Sequence, residues 1–362
     1  MGEGPRFASD AAVRSVCFVS TTARNERPAL DPSTRYRCYH VAEALGNLGY
    51  RCTVTSLATF LGSPTYAHDA YIFHRPAFSA KFASIVADLH RLGKRLIADY
   101  DDLIFGGAEE AIASSIVKNG HLTEEQGIAL FARNLEALRL FDVFTTSTKP
   151  LCQEVKRFKP DARVEVVPNA LPPSLVEFVD GAKLYERQRL PKRIGYFAGS
   201  KSHDRDFPIA EAAVRQVLSD DSSSSFIVVG PVELPGSLRE HPRVEQYEVV
   251  DFLQLPAVMT QCSEVIAPLE TSVFNDCKSR VKWLEAAAAG CRLIATPIPD
   301  MIEAAGGWTG LPRSADEWAS ELSVRFESDA RRERARAQFL ELRGRCSIAV
   351  STRPLLGILS GA

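Results

Sequence analysis

Two polar clusters, well separated in the chain, carry side chains suited to a phosphate-bearing ligand. The first, Gly199-Ser200-Lys201-Ser202-His203-Asp204-Arg205-Asp206-Phe207-Pro208, follows an apolar strand-like run. It leads into a helix-like segment with Asp206 as the expected cap and Pro208 in the first turn. Glycine permits close backbone approach, and unpaired amides at the turn, with Arg205 beside them, favour an anionic oxygen. The second, Asn275-Asp276-Cys277-Lys278-Ser279-Arg280-Val281-Lys282-Trp283-Leu284-Glu285, runs into an alanine-rich stretch. Lys278, Lys282 and Glu285 fall at i, i+4 and i+7, the spacing of one helical face. Lysines suit a pyrophosphate, and a carboxylate further along accepts hydrogen bonds from ribose hydroxyls. The same residues also fit an ordinary turn with solvated charges, and a helix face on which Glu285 simply pairs with Lys282.

The elements that must position these residues come in an alternating series. Residues 16–21, 51–57, 70–73, 95–98, 143–146 and 163–167 read as strands, with helical segments at 35–48, 80–92, 123–140 and 150–158 between them. The pattern restarts with strands at 193–197, 225–229, 244–249, 264–267 and 292–295 and helices at 207–218, 255–261, 280–289 and 315–327. Alternation of this kind predicts parallel sheets covered by helices. The expectation is an α/β protein of two doubly wound, Rossmann-like domains facing a cleft, since such sheets bind ligands beyond the carboxyl ends of their strands. Residues 1–172 form the first domain, 173–191 a proline-richer linker, and 192–340 the second domain. Residues 341–362 are expected to pack back on the first domain.

Composition narrows the partners. The chain has 362 residues, 45% of them hydrophobic, enough for two cores. With 43 Lys+Arg against 45 Asp+Glu the formal charge is -2, and nucleic acid is not an expected partner. The eight cysteines include no C-x-x-C pair, which argues for reduced thiols rather than a zinc knuckle or disulfide framework. No apolar run reaches about 18 residues, and the first residues lack a signal core or myristoylation site. A cytoplasmic protein is expected, with peripheral contact to the inner face of the membrane open to it.

Residues 194–207, the strand end Ala267-Pro268-Leu269-Glu270, and 274–290 followed by Ile294-Ala295-Thr296-Pro297 together resemble a known group. They are similar to the nucleotide-sugar glycosyltransferases of GT-B type, in particular the retaining enzymes of glycosyltransferase family 4. The resemblance spans nearly the whole chain. It implies that Gly199, Ser200 and Arg205 bind the donor diphosphate and that Glu285 binds ribose. In that family another glutamate stands eight positions before the ribose ligand; here the position is Cys277. Asn275, Lys278 and Ser279 then form the sugar and phosphate floor, as in a subgroup with the pattern Phe-Asn-x-x-Lys-Ser, and Lys282 joins the donor set.

His74, at the end of a strand, takes the family's role beside the donor sugar and the acceptor. Asn169 matches the asparagine at the family's interdomain crossing. On the acceptor side, Arg35 and Arg37 are placed to hold a phosphate or acidic sugar, and Asp101 and Asp102 to shape the site. The reaction implied is transfer of a sugar to an acceptor hydroxyl on a saccharide or lipid-linked saccharide, with His74, Arg205 and Lys278 as catalytic residues. Cations and amides meet the charge on the leaving diphosphate, so no metal or other cofactor is expected. Two alternatives stand. One is a sugar-nucleotide-binding partner without turnover, because of Cys277. The other is a magnesium-dependent phosphatase with Asp99 of Asp99-Tyr100-Asp101 as nucleophile.

Overall fold

Apolar runs without polar alternation become strands buried on both faces, as a parallel sheet between helix layers requires. The computed structural model describes residues 13–186, 191–199 and 205–361. Six strands form the first sheet: β1 (Ser15–Ser20), β2 (Arg51–Ser56), β3 (Ala70–His74), β4 (Arg95–Tyr100), β5 (Val143–Thr146) and β6 (Arg163–Val166). Their order is β2-β1-β3-β4-β5-β6 and every pairing is parallel. Every residue of β1, β3 and β4 is buried, whereas the edge strands β2 and β6 are partly open. Register aligns Ser20 with His74, His74 with Asp99, and Asp99 with Thr145, so four polar side chains stand in one row at the carboxyl edge.

The second sheet has five parallel strands: β7 (Arg193–Phe197), β8 (Ser225–Val229), β9 (Val244–Tyr247), β10 (Glu264–Ala267) and β11 (Arg292–Ala295), in the order β11-β10-β7-β8-β9. Its core gathers Ile194, Phe207, Val214, Phe226, Ile266 and Trp318. The chain divides into two units. One takes in 13–173, Cys277–Ser279 and 348–361, and the other 174–276 and 280–347, within the described residues.

Several elements differ from expectation. The segment 173–191 holds a helix, Pro173–Gly181, that buries Leu175 and Val179, and Tyr185 stacks on Phe339 with ring centroids 4.3 Å apart. These contacts place its described residues from 174 onward within the second unit. The strand expected over 51–57 stops at Ser56, whose side chain accepts from the Thr59 amide and starts a helix, Leu57–Gly62. The helix expected over 35–48 opens as a π-turn, Arg35–Tyr39, which buries the consecutive residues Tyr36, Arg37 and Cys38. After Ser323 the helical reading continues as a separate helix, Ser328–Gly344. Residues 348–361 form two short helices in the first unit, where Leu355, Ile358 and Leu359 join Val16 and Ile72 in the core.

Candidate functional site

In the first unit the polar row at the carboxyl edge grows into a buried network. His74 ends β3 with no solvent exposure. Its Nδ1 lies 2.8 Å from Ser20 Oγ; its Nε2 lies 3.1 Å from Asp101 Oδ1 and 3.0 Å from Ser33 Oγ. A carboxylate only accepts, so Nε2 carries a proton toward Asp101. Ser33 also donates to Asp101 Oδ2. Arg75 adds Nε to Asp101 Oδ1 and Nη2 to Asp102 Oδ2, each at 2.5 Å. Burial opposes ionisation of Asp101, but Arg75 and the bond from His74 outweigh it and hold the carboxyl well below the usual range. The direct sugar contact expected of His74 therefore needs correction: its ring is enclosed, while Arg75, Asp102 and Lys278 are partly exposed.

Arg37 also requires correction. Instead of offering an anion site, its guanidinium is buried and forks onto Asp99, with Nε at 3.0 Å and Nη2 at 2.5 Å, while Nη1 donates to Val167 O and to Asn169 Oδ1 at 2.6 and 2.9 Å. Burial disfavours its charge, yet Asp99 more than compensates and raises its pKa. The π-turn aims this side chain inward. Asp99 accepts a further bond from Thr145 at 2.6 Å, so the carboxylate required as a phosphatase nucleophile is enclosed and fully engaged. Asn169 donates onward to Ser279 Oγ at 2.8 Å, and Thr148 Oγ1 donates to the Cys277 carbonyl at 2.9 Å. Lys278 Nζ stands 3.8 Å from Asp102 Oδ1. Arg35, half-buried, donates to the Ala29 carbonyl at 3.0 Å.

In the second unit, Gly199 follows β7 with open space where a side chain would stand. Ser200 lies outside the described residues. Gly230, after β8, has φ +116, and a Cβ there would lie 1.8 Å from the Ala198 carbonyl oxygen, so only glycine lets these two backbones meet. Asp206 does not cap the following helix, Pro208–Asp220, whose first turn starts after Phe207. It accepts instead from the Glu270 amide at 2.9 Å and so ties two loops of this unit together. Arg205, mostly exposed, stands 3.2 Å from Glu270 Oε1. Asn275 donates to the Glu270 carbonyl at 2.8 Å, and its own Oδ1 is buried without a partner.

The helix after this loop is Val281–Ala289, so Lys278 precedes it and cannot share a helical stripe with Lys282 and Glu285. Lys282 and Glu285 do meet, at 2.9 Å, with the glutamate nearly buried. Arg205, Lys278 and Glu285 thus each face a different charged partner: Glu270, Asp102 and Lys282. Sequence reasoning passed over Arg75, Ser33, Glu270 and the Arg280–Asp300 pair, whose partners lie far off in the chain.

Residues 192–325 match the family described as Glycosyl transferases group 1. That match covers most of the second unit, and the two parallel-sheet units together have the GT-B fold. Among similar solved structures, HepE of Anabaena in complex with UDP-glucose has a TM-score of 0.60 at 13% identity, covering 96% of this chain and 100% of that one. The α,α-trehalose-phosphate synthase (UDP-forming) of Burkholderia vietnamiensis gives 0.62 at 11%, covering 97% and 99%. A glycosyltransferase of Rickettsia africae gives 0.58 at 13%, covering 96% and 98%. At these identities the likeness is one of fold. No curated protein matches the chain by sequence.

Proposed function

We propose that the protein transfers a sugar, with retention, from a nucleoside-diphosphate sugar to a hydroxyl of a saccharide or lipid-linked saccharide in surface-glycan synthesis at the cytoplasmic side of a membrane. The observation that carries this is the group 1 match over 192–325, a stretch that includes both Arg205 and the buried Glu285. Among the described residues no helix is long and apolar enough to cross a membrane. The solved likenesses that use UDP or UDP-glucose make uridine the first base to test.

In this reading Glu285 accepts from the ribose hydroxyls, with Lys282 steadying its carboxylate. Gly199, Ser200 and Arg205 take the diphosphate, and Asn275, Lys278 and Ser279 the sugar-side phosphate and sugar. The Arg205–Glu270 pair is solvent-exposed, and such pairs contribute about 0–1 kcal/mol, so a diphosphate displaces Glu270 readily. As the glycosidic bond breaks, charge grows on the diphosphate, and cations fixed beside it stabilise the transition state more than the ground state. Losing one such donor costs about 3 kcal/mol. His74 acts by fixing Asp101, which in turn holds Arg75 and Ser33; Asp102 and Arg35 face the acceptor side, and Asn169 sets the turn beside Ser279. No metal enters the proposed step, so a chelator is expected to leave the rate unchanged.

Calorimetry with the diphosphates of uridine, guanosine, cytidine and deoxythymidine tests the reading. At least one binds, and Arg205→Ala and Glu285→Ala each weaken that binding about tenfold or more; binding of none would overturn it. A second reading, a sugar-nucleotide-binding partner without turnover, is favoured by one observation: a buried thiol, Cys277, replaces the family's glutamate. Donor hydrolysis or transfer that is lost in Lys278→Ala would exclude it.

A further inference from the structure

The helix that carries Glu285 has no capping side chain of its own at Arg280, the residue before its first turn. Asp300 holds Arg280 itself instead. Its carboxylate takes the Arg280 backbone amide at 2.7 Å and Arg280 Nε at 3.0 and 3.1 Å, and it also accepts from Nη2. Both residues are buried. Asp300 itself sits in the first turn of a second helix, Pro299–Ala304, so one carboxylate pins the starts of two helices and complements the positive end of each. Arg280 is also the residue at which the chain passes from the Cys277–Ser279 segment of the first unit into the second.

A buried ion pair gives little net stability over an apolar pair of the same shape, but a planar fork fixes orientation in a way a single contact cannot. Glu285 lies five residues beyond Arg280, about 7.5 Å along the axis, on the same short rigid segment. The direction of its carboxylate therefore depends on the angle at which the first turn is held. We infer that Arg280 and Asp300 are positioning residues for nucleotide recognition: their fork sets the phase of the helix so that Glu285 meets the ribose hydroxyls. The inference rests on the donor role proposed above for Glu285.

The test uses the full-length protein and separates ribose recognition from general integrity. Affinities are measured for uridine diphosphate, 2′-deoxyuridine diphosphate and inorganic pyrophosphate in the wild type, in Arg280→Lys, and in the double variant Arg280→Gln/Asp300→Asn, which leaves no buried unpaired charge. In the wild type the ribonucleotide binds more tightly than its deoxy counterpart. Both variants lose about tenfold in affinity for uridine diphosphate, the preference for ribose collapses, and pyrophosphate binding stays within twofold. Donor KM rises in parallel while kcat changes little, because ribose is held alike in ground and transition states. Variants that melt earlier yet keep the ribose preference would overturn the positioning role. A wild type that binds uridine diphosphate without preferring ribose would instead sink the role of Glu285, and a wild type that binds no nucleoside diphosphate would sink the donor reading.

Discussion

Arg37 and Asp99 illustrate how a charged residue type misleads until its surroundings are known. An arginine in an early loop reads as an anion ligand, and an aspartate at a strand end reads as a nucleophile. Here they satisfy each other in the interior, with Thr145, Val167 and Asn169 taking up the remaining hydrogen-bonding capacity. Removing one partner of such a pair leaves an uncompensated buried charge, which costs about 3–5 kcal/mol. Arg37→Met is therefore expected to lower the unfolding free energy from urea titration by an amount of that order, whereas Arg35→Met, at a half-buried residue whose Nε donates to the Ala29 carbonyl, should change it by less than about 1 kcal/mol. Equal effects of the two would contradict the burial argument. Asp101 follows the same logic: an acceptor-side carboxylate by residue type, it is engaged by His74, Arg75 and Ser33, which leaves Asp102 the more exposed of the two.

At the scale of elements, the parallel strands were legible because burial on both faces writes an unbroken apolar run into the chain, as in β3 and β4. Their ends and the loops between them were not. The i, i+4, i+7 spacing of Lys278, Lys282 and Glu285 is indifferent to where the helix begins; it begins at Val281, after an Arg280 whose amide is taken by Asp300, distant in sequence. The π-turn at Arg35–Tyr39 leaves no mark on a helical pattern yet turns Arg37 from the surface to the core. The backbone after β7 depends likewise on a residue just after β8. Gly230 meets the Ala198 carbonyl where no Cβ fits and adopts a φ that L side chains rarely take. Gly230→Ala must push the backbone at Ala198 aside. The expected loss is several kcal/mol in stability, together with weakened nucleotide binding, since Gly199 is the next residue. Thermal melts with and without uridine diphosphate would show both; an unchanged melting temperature would mean that the close approach is not required.

For the whole molecule, buried ionisable groups in the first unit contribute to the pH dependence of stability. His40 is buried, bonds the Ala170 carbonyl through Nδ1, and has its pKa pushed down from 6.5 to about 3, chiefly by burial. The unfolded chain protonates this histidine first, so between those values it binds more protons than the folded chain and stability falls as pH falls, by up to about 1.4 kcal/mol per pH unit. Asp101, held low, adds to the loss only once the pH drops into the range where an unfolded aspartate protonates. On the alkaline side Cys17, raised by burial from 9.0 to about 12, works in the opposite sense: the unfolded thiol ionises first, and stability declines as pH rises above 9. Stability should therefore be greatest between about pH 6.5 and 9. Urea titrations at pH 4.5, 5.5 and 7.5 isolate the histidine. His40→Gln, which keeps a donor toward Ala170, should flatten the change between pH 5.5 and 4.5 by about 1.4 kcal/mol relative to wild type while other groups contribute equally to both. If variant and wild type lose stability in parallel over that interval, His40 is not the group that takes up the proton on unfolding.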